Sequence, residues 1–304
     1  MEMGRASVPA AESPLALLVN PSSAGGRTLR LLPQIEAELD QRRAVFRVER
    51  TRDPGHAVEE ALRAADAGEI PVLISGDGLI GVVGGALAGS ETPLGIIPGG
   101  RGNDLARVLG IPSEAAEAVD ALLTGHSRRI DMGEVNGHRF VGVASVGLDS
   151  DANRIANETR LIRGNLVYAY AALRALATWK PDRFTIRVGG ERFRFTGCTV
   201  AVANNKAYGG GMFIAPDALL DDGEFDVVMI GDVSRLRLLR NLPKVFKGTH
   251  VQRDEVRVFR TPELALDASR PLSVWADGEH LTDLPATVRI LPAALSVIVP
   301  ATAA

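Results

Sequence analysis

Ile70-Pro-Val-Leu-Ile-Ser-Gly-Asp-Gly-Leu-Ile-Gly81 joins an apolar run to a glycine-rich turn. The run reads as a strand buried on both faces over Ile70–Ser75, and the small residues beyond the turn as a helix over Ile80–Leu87. The same alternation continues on either side. Leu15 to Asn20 and Val45 to Glu49 are strands, and Leu94 to Ile97 is a fourth. Thr28 to Arg42 recurs at helical period, with Leu31, Leu32, Ile35 and Leu39 on one face. His56 to Ala67 is another helix, and Asn103 to Leu109 begins one more. Buried strands alternating with amphipathic helices predict a parallel sheet with crossover helices.

Three of these strands end in comparable turns: Asn20-Pro-Ser-Ser-Ala-Gly-Gly26, Ser75-Gly-Asp-Gly-Leu-Ile-Gly81 and Pro98-Gly-Gly-Arg-Gly-Asn-Asp104. Ligands of open α/β sheets bind at the carboxyl ends of strands, where glycine turns and helix N-termini aim N–H groups at phosphate oxygens. Ordinary tight turns explain each one separately but not their shared composition, so a nucleotide or phosphate crevice is expected. The Gly-Lys-Ser/Thr tripeptide of a P-loop occurs nowhere. Gly76, Gly78 and Gly81 satisfy Gly-x-Gly-x-x-Gly, which keeps a NAD-type oxidoreductase as a rival reading. That fingerprint belongs on a first βα unit, however, and here it follows the third strand and contains Asp77. A carboxylate among phosphates requires a divalent cation or a role as base, which favours phosphoryl over hydride transfer.

After Gly125 the pattern changes. Ile130 to Val135 and Arg139 to Ala144 flank Asn136-Gly137, the signature of a type I′ hairpin, and Thr185 to Val188 and Arg192 to Phe195 flank Gly189-Gly190 in the same way. Further strands are expected at Thr199 to Ala203, Phe225 to Ile230, Val256 to Phe259, Leu272 to Ala276 and Thr287 to Leu291, with helices at Leu166 to Thr178 and Ser234 to Phe246. The second part is therefore mostly antiparallel β. The first dozen residues read as a disordered arm.

With 304 residues, 46% of them apolar, the chain has material for about two cores. Its 34 basic and 37 acidic residues leave a net charge of −3, which argues against nucleic acid held by bulk charge. A single cysteine, Cys198, excludes intramolecular disulfides and multi-thiolate metal sites and reads as a small core residue. No stretch resembles a signal peptide or a membrane span, so a cytoplasmic location is expected. The five histidines lack metal spacing, although His280 adjoins Glu279 and could tune it. Ser234 to Lys247 carries Arg235, Arg237, Arg240, Lys244 and Lys247 beside Leu236, Leu239 and Phe246. It is either an ordinary exposed basic helix or a contact for anionic lipid headgroups.

Asn20-Pro-Ser-Ser, Thr51 with Gly55-His56-Ala57, Ser75-Gly-Asp-Gly, the run from Leu94 to Ala106, Asp221-Asp-Gly-Glu-Phe-Asp226 and Asp277-Gly-Glu279 stand in the order seen in the diacylglycerol kinase catalytic family. That family includes bacterial diacylglycerol and YegS-like lipid kinases and the sphingosine kinases. The resemblance spans residues 14 to 300. It implies an N-terminal phosphofructokinase-like α/β domain and a C-terminal antiparallel β-sandwich domain, with ATP in the cleft between them. The domains would be 14–127 for ATP and 128–291 for lipid, with 292–304 returning to the first.

Carried over by position, the resemblance places Asn20, Pro21, Ser22, Ser23, Gly25, Thr51, Gly76, Asp77, Gly78, Leu79, Gly81, Gly100, Arg101, Gly102 and Asn103 around ATP. It makes Glu279, with Asp277 beside it, the acceptor of the lipid hydroxyl proton. In sphingosine kinases the aspartate matching Asp77 has that role, so both acids stay open. A structural Mg²⁺ would lie on Leu219 (backbone), Asp222 and Glu224 (backbone), where an ordinary turn is the alternative. The chain departs from the family run at Leu79, Gly81 and Val82, the last where an acid is usual, and at Arg101, where threonine is common. The expected function is an ATP- and Mg²⁺-dependent kinase of diacylglycerol, a sphingoid base or a related lipid, met by peripheral contact at a membrane surface. A non-catalytic nucleotide- or lipid-binding module is the alternative from another class. No transmembrane segment and no nucleic acid partner are expected, and a homodimer stays open.

Overall fold

The computed structural model describes residues 13–159 and 166–301, so the expected N-terminal arm lies outside the described residues. The chain divides into two compact units, one formed by residues up to Ile130 and from Ala293 onward, the other by Asp131–Pro292.

The first unit contains β1 (Leu15–Val19), α1 (Arg27–Gln41), β2 (Phe46–Arg50), α2 (Pro54–Asp66), β3 (Ile70–Ser75), α3 (Asp77–Leu87), β4 (Gly95–Pro98), α4 (Asp104–Val108) and α5 (Ala115–Thr124). The strands form a parallel sheet in the order β2-β1-β3-β4. Every residue of β1, β3 and β4 is buried, because helices cover both faces, and this is why these strands read as unbroken apolar runs. Leu15, Leu17, Val19, Val72 and Ile74 pack with Leu32, Ile35 and Leu39 of α1 and Val119 and Leu122 of α5. Helix α5 has no counterpart in the sequence reading. Its signal is the i, i+3, i+4, i+7 set Ala115, Ala118, Val119 and Leu122, masked by the alanines.

The chain continues through β5 (His126–Val135), β6 (His138–Phe140), β7 (Val143–Gly147), α6 (Leu148–Glu158), α7 (Leu166–Thr178), β8 (Asp182–Val188), β9 (Glu191–Ala203), β10 (Phe225–Gly231), α8 (Arg235–Val245), β11 (Val256–Thr261), β12 (Glu263–Ala268), β13 (Ser273–Ala276), β14 (Glu279–Asp283) and β15 (Ala286–Val299). These strands form an antiparallel sheet, with β14-β13-β7-β9-β8-β12-β15-β5-β6 as its main path and β10 and β11 branching from β9. One core gathers Phe140, Phe184, Val200, Phe225, Leu266, Val274 and Val288, and Cys198 is buried in it. The unit boundary falls within β5 and again near the middle of β15.

The Asn136-Gly137 turn has the expected left-handed φ values of +47° and +87° and pairs Val135 with His138. The strand expected over Arg139–Ala144 is instead split at Val141 and Gly142, whose N–H groups both donate to Asp277. Among the described residues no helix is long and apolar enough to cross a membrane.

Candidate active site

In the first unit the turns after β1, β3 and β4 lie at the carboxyl ends of neighbouring parallel strands. Chain order places β1 and β3 side by side while α1 leads away to β2 and α3 to β4, so the turn after β1 and the turn after β3 flank a switch point. Asn20 builds the first turn. Its Oδ1 accepts from Ser22 N (3.1 Å) and Ser22 Oγ (2.8 Å), and its Nδ2 donates to Ser75 Oγ (3.3 Å). Pro21 follows Asn20, and Gly25 closes the short 3₁₀ turn Ser23–Gly25. Ser23 Oγ donates to Gly99 O (3.2 Å), linking the first turn to the third. A Cβ on Gly76 would lie 2.9 Å from Gly100 Cα, so the second and third turns touch backbone to backbone, and neither glycine admits a side chain.

Asn103 holds the third turn closed, accepting from Gly100 N at 2.8 Å and donating to Gly100 O at 3.2 Å. Asp77 opens α3, where a carboxylate suits the helix dipole, and Gly78, Leu79 and Gly81 occupy the first turns of that helix. Asp77 Oδ1 also accepts from Leu105 N (3.1 Å) in the first turn of α4. Burial pushes its pKa up, and the neighbouring Asp104 adds to the shift. Thr51, buried at the end of β2, donates its hydroxyl to Val19 O (3.2 Å) and so ties β2 to β1. Gly102 O accepts from Arg107 (3.0 Å). Arg101 is exposed, and its guanidinium has no partner among the described residues. Val82 is 40% exposed on α3.

In the second unit Asp277-Gly278 is itself a two-residue hairpin turn, with φ values of +52° and +87°, joining Ala276 of β13 to Glu279 of β14. Asp277 spends both carboxylate oxygens on backbone N–H groups, Oδ2 on Val141 (2.8 Å) and Oδ1 on Gly142 (2.9 Å). Glu279, at the head of β14, has no side-chain partner among the described residues. Its side chain reaches solvent, yet the surrounding protein desolvates it enough to raise its pKa. His280 points to the opposite face of the strand. There it packs edge-on against Trp275 (5.8 Å) and lies 3.2 Å from Asp283 Oδ1, so it is not placed to tune Glu279.

The Leu219–Glu224 loop offers only hard oxygen donors, which suit Mg²⁺ in kind. The carboxylate expected to bind the ion is already engaged: Asp222 pairs through Oδ2 with Arg260, and its Oδ1 accepts from Glu224 N (3.2 Å). Arg260 also approaches Glu224 (3.5 Å) and Asp226 (3.7 Å). As arranged, the loop holds a guanidinium where the sequence reading places an ion, and among the described residues no cluster of three metal-ligating side chains occurs.

The sequence reading did not find an apolar cavity of about 310 Å³ walled by α6, α7 and α8, with Leu148, Leu176, Met212, Leu238, Leu242 and Val245 in its lining. Asp149 lines it too. Burial raises the pKa of this carboxylate to about 6, against hydrogen bonds that include those from Ser150 N (3.0 Å) and Tyr208 OH (3.3 Å). His250, buried in the same wall, bonds through Nε2 to Ile214 O (3.1 Å), and its pKa is lowered by burial. The sequence signal for Asp149 was an acid directly after an apolar strand, in Val146-Gly-Leu-Asp149.

Comparison with known proteins agrees with both halves. Residues 14–135 match the diacylglycerol kinase catalytic domain, and residues 142–299 match the YegS C-terminal NAD kinase beta sandwich-like domain. The diacylglycerol kinase of Mycobacterium tuberculosis is 36% identical over 292 residues, 93% of this chain and 94% of that protein. The diacylglycerol kinase of Bacillus subtilis is 30% identical over 238 residues, 77% and 78% of the two chains. A crystal structure of a diacylglycerol kinase from Bacillus anthracis superposes with a TM-score of 0.72 at 20% identity, over 96% of this chain and 98% of that one, a likeness of fold. The chain belongs to the diacylglycerol kinase family of YegS-like lipid kinases and is a lipid kinase. The oxidoreductase reading of Gly76, Gly78 and Gly81 is not favoured.

Proposed function

We propose that this lipid kinase moves the γ-phosphoryl group of ATP to a hydroxyl of diacylglycerol. The observation that carries the reading is the cavity of about 310 Å³: its walls are apolar enough for acyl chains, and Asp149, Thr199 and Tyr208 supply a few polar groups for a glycerol ester. The turns carrying Asn20 to Gly25, Gly76 to Gly81 and Gly100 to Asn103 hold the nucleotide, and Arg101 adds a free planar cation for its phosphates. Mg²⁺ bound with the nucleotide would screen the charge on the transferring phosphoryl group. For the separate 219–224 loop to hold a structural ion, Asp222 would have to release Arg260.

In the transfer the lipid hydroxyl oxygen bonds to the γ-phosphorus as the bond from phosphorus to the β–γ bridging oxygen breaks and ADP departs. The hydroxyl proton passes to Glu279. Its desolvated carboxylate is a stronger base than an ordinary glutamate and has no hydrogen bond to give up among the described residues. Asp277 positions it by fixing the hairpin, and Asp77, at the start of α3, is held by the N–H of Leu105 in α4. The test is γ-labelled ATP with dioctanoylglycerol, where labelled lipid phosphate is expected and its absence overturns the reading.

A second reading rests on Asp149, which is mostly ionised at neutral pH beside an apolar cavity and would pair with the amine of a sphingoid base. Asp149→Asn separates the two substrates. It should cost a cationic lipid about 100-fold in kcat/KM, as expected for a lost buried charge pair, and a neutral diacylglycerol under about tenfold.

A further inference from the structure

Helix α8 is amphipathic in an unusual way: none of its residues is buried. One side, Leu238, Leu242 and Val245, walls the cavity, with Leu238 and Val245 also packed against the buried cores of the unit. Leu239 and Phe246 line the same cavity yet are 39% and 49% exposed, as is Leu173 of α7 at 52%, so these three side chains form part of its rim. Leu236, one turn before Arg240, is 67% exposed.

Charge is concentrated on this same surface. Residues 234–253 contain Arg235, Arg237, Arg240, Lys244, Lys247 and Arg253 and no acidic residue, in a chain whose net charge is −3. Helical spacing sets Leu236, Arg240 and Lys244 in one row, with Leu239 between that row and the cavity wall, and Phe246 and Lys247 follow in the turn that ends the helix. The side chains of Arg240 and Lys247 have no partner among the described residues, and Lys244 reaches only the amide of Asn241 at 2.8 Å. Arg237 approaches Glu255 at 3.7 Å. A nucleic acid would use the cations but not the exposed Leu236 and Phe246. An apolar protein groove would use the leucines but leave the cations without a role.

We infer that α8 is the seat by which this protein lies on an anionic lipid bilayer. Arg240, Lys244 and Lys247 meet phosphate headgroups while Leu236, Leu239 and Phe246 reach the acyl boundary, the arrangement of an interfacial helix. The cavity rim then faces the layer that holds its lipid, a step that rests on the reading of the cavity given above. The seat itself does not depend on that reading.

The experiment is sedimentation of the full chain, without ATP, on phosphatidylcholine vesicles with and without 30% phosphatidylglycerol. Wild type should partition onto the anionic vesicles and lose binding as salt rises. Each charge removed should cost about fivefold in partitioning, so Arg240→Gln with Lys247→Gln should weaken it by roughly 25-fold. Leu236→Ser should weaken it as well. All three positions lie outside the cavity lining, so melting temperature and turnover of dioctanoylglycerol should stay as in wild type. A double variant that binds as wild type does, or a wild type that prefers neutral vesicles or binds neither, overturns the proposal. Vesicle binding through α8 by a chain that phosphorylates no diacylglycerol would instead overturn the substrate reading and leave the seat in place.

Discussion

Glu279 and Asp77 are both acids of raised pKa, but they occupy different surroundings. Among the described residues Glu279 takes no hydrogen bond, whereas Asp77 accepts one from Leu105 N in the first turn of α4. Glu279→Gln should therefore lower kcat by about 100-fold or more with ATP affinity unchanged, as for a general base. Asp77→Ala should leave Leu105 N without its partner, lowering stability by about 1–3 kcal/mol and weakening ATP, which denaturation and nucleotide titration would read. Near wild-type turnover in Glu279→Gln with collapse in Asp77→Asn would move the proton to Asp77. Asp149 gives a pH signature. Its pKa rises from 3.8 to about 6 on folding, so the native state binds more protons between those values, and stability falls as pH climbs through that window. The cost at neutral pH is at most about 3 kcal/mol, since the carboxylate lines a cavity rather than the closed core. Asp149→Asn should flatten the stability profile between pH 4 and 7. An unchanged slope would assign the pH dependence to other groups.

At the scale of elements, the legible features were those encoded by neighbours in sequence. β3 was readable to the residue because both of its faces are buried, and the Asn136-Gly137 and Gly189-Gly190 turns because two consecutive left-handed residues demand such pairs. The capture of Val141 and Gly142 by Asp277 was not readable, since its partners are more than a hundred residues apart. Nor was Arg260, which lies on β11 and reaches a loop before β10 through strand pairing alone. The three carboxylates it faces, with Asp226 buried, explain why this loop can stand with its charge partly balanced from within. Arg260→Met should lower the melting temperature in chelator, because Asp226 would lose its compensating charge. If the loop also takes Mg²⁺, millimolar Mg²⁺ should recover part of that loss, and more in the variant than in wild type. Equal Mg²⁺ shifts would make the loop an ordinary turn.

For the whole molecule, the two units have separate cores and separate candidate ligands, phosphate turns in one and an apolar cavity in the other. Ligand binding stabilises the native state by RT ln(1 + [L]/Kd), about 2.7 kcal/mol at a hundredfold excess over Kd, whichever unit it occupies. The melting temperature therefore cannot say where a ligand sits, but amide exchange can, because protection follows local contacts and local opening. ATP should slow exchange in residues 20–26, 76–81 and 99–105, where N–H groups of the glycine turns would be taken out of solvent. Dioctanoylglycerol should instead slow α6, the 208–214 segment and α8, which wall the cavity. Binding to anionic vesicles should protect residues 236–247 most on their own. If ATP protected the α8 wall and left the three turns unchanged, the assignment of nucleotide to the first unit would be wrong, and with it the roles given to Arg101 and the glycines around it.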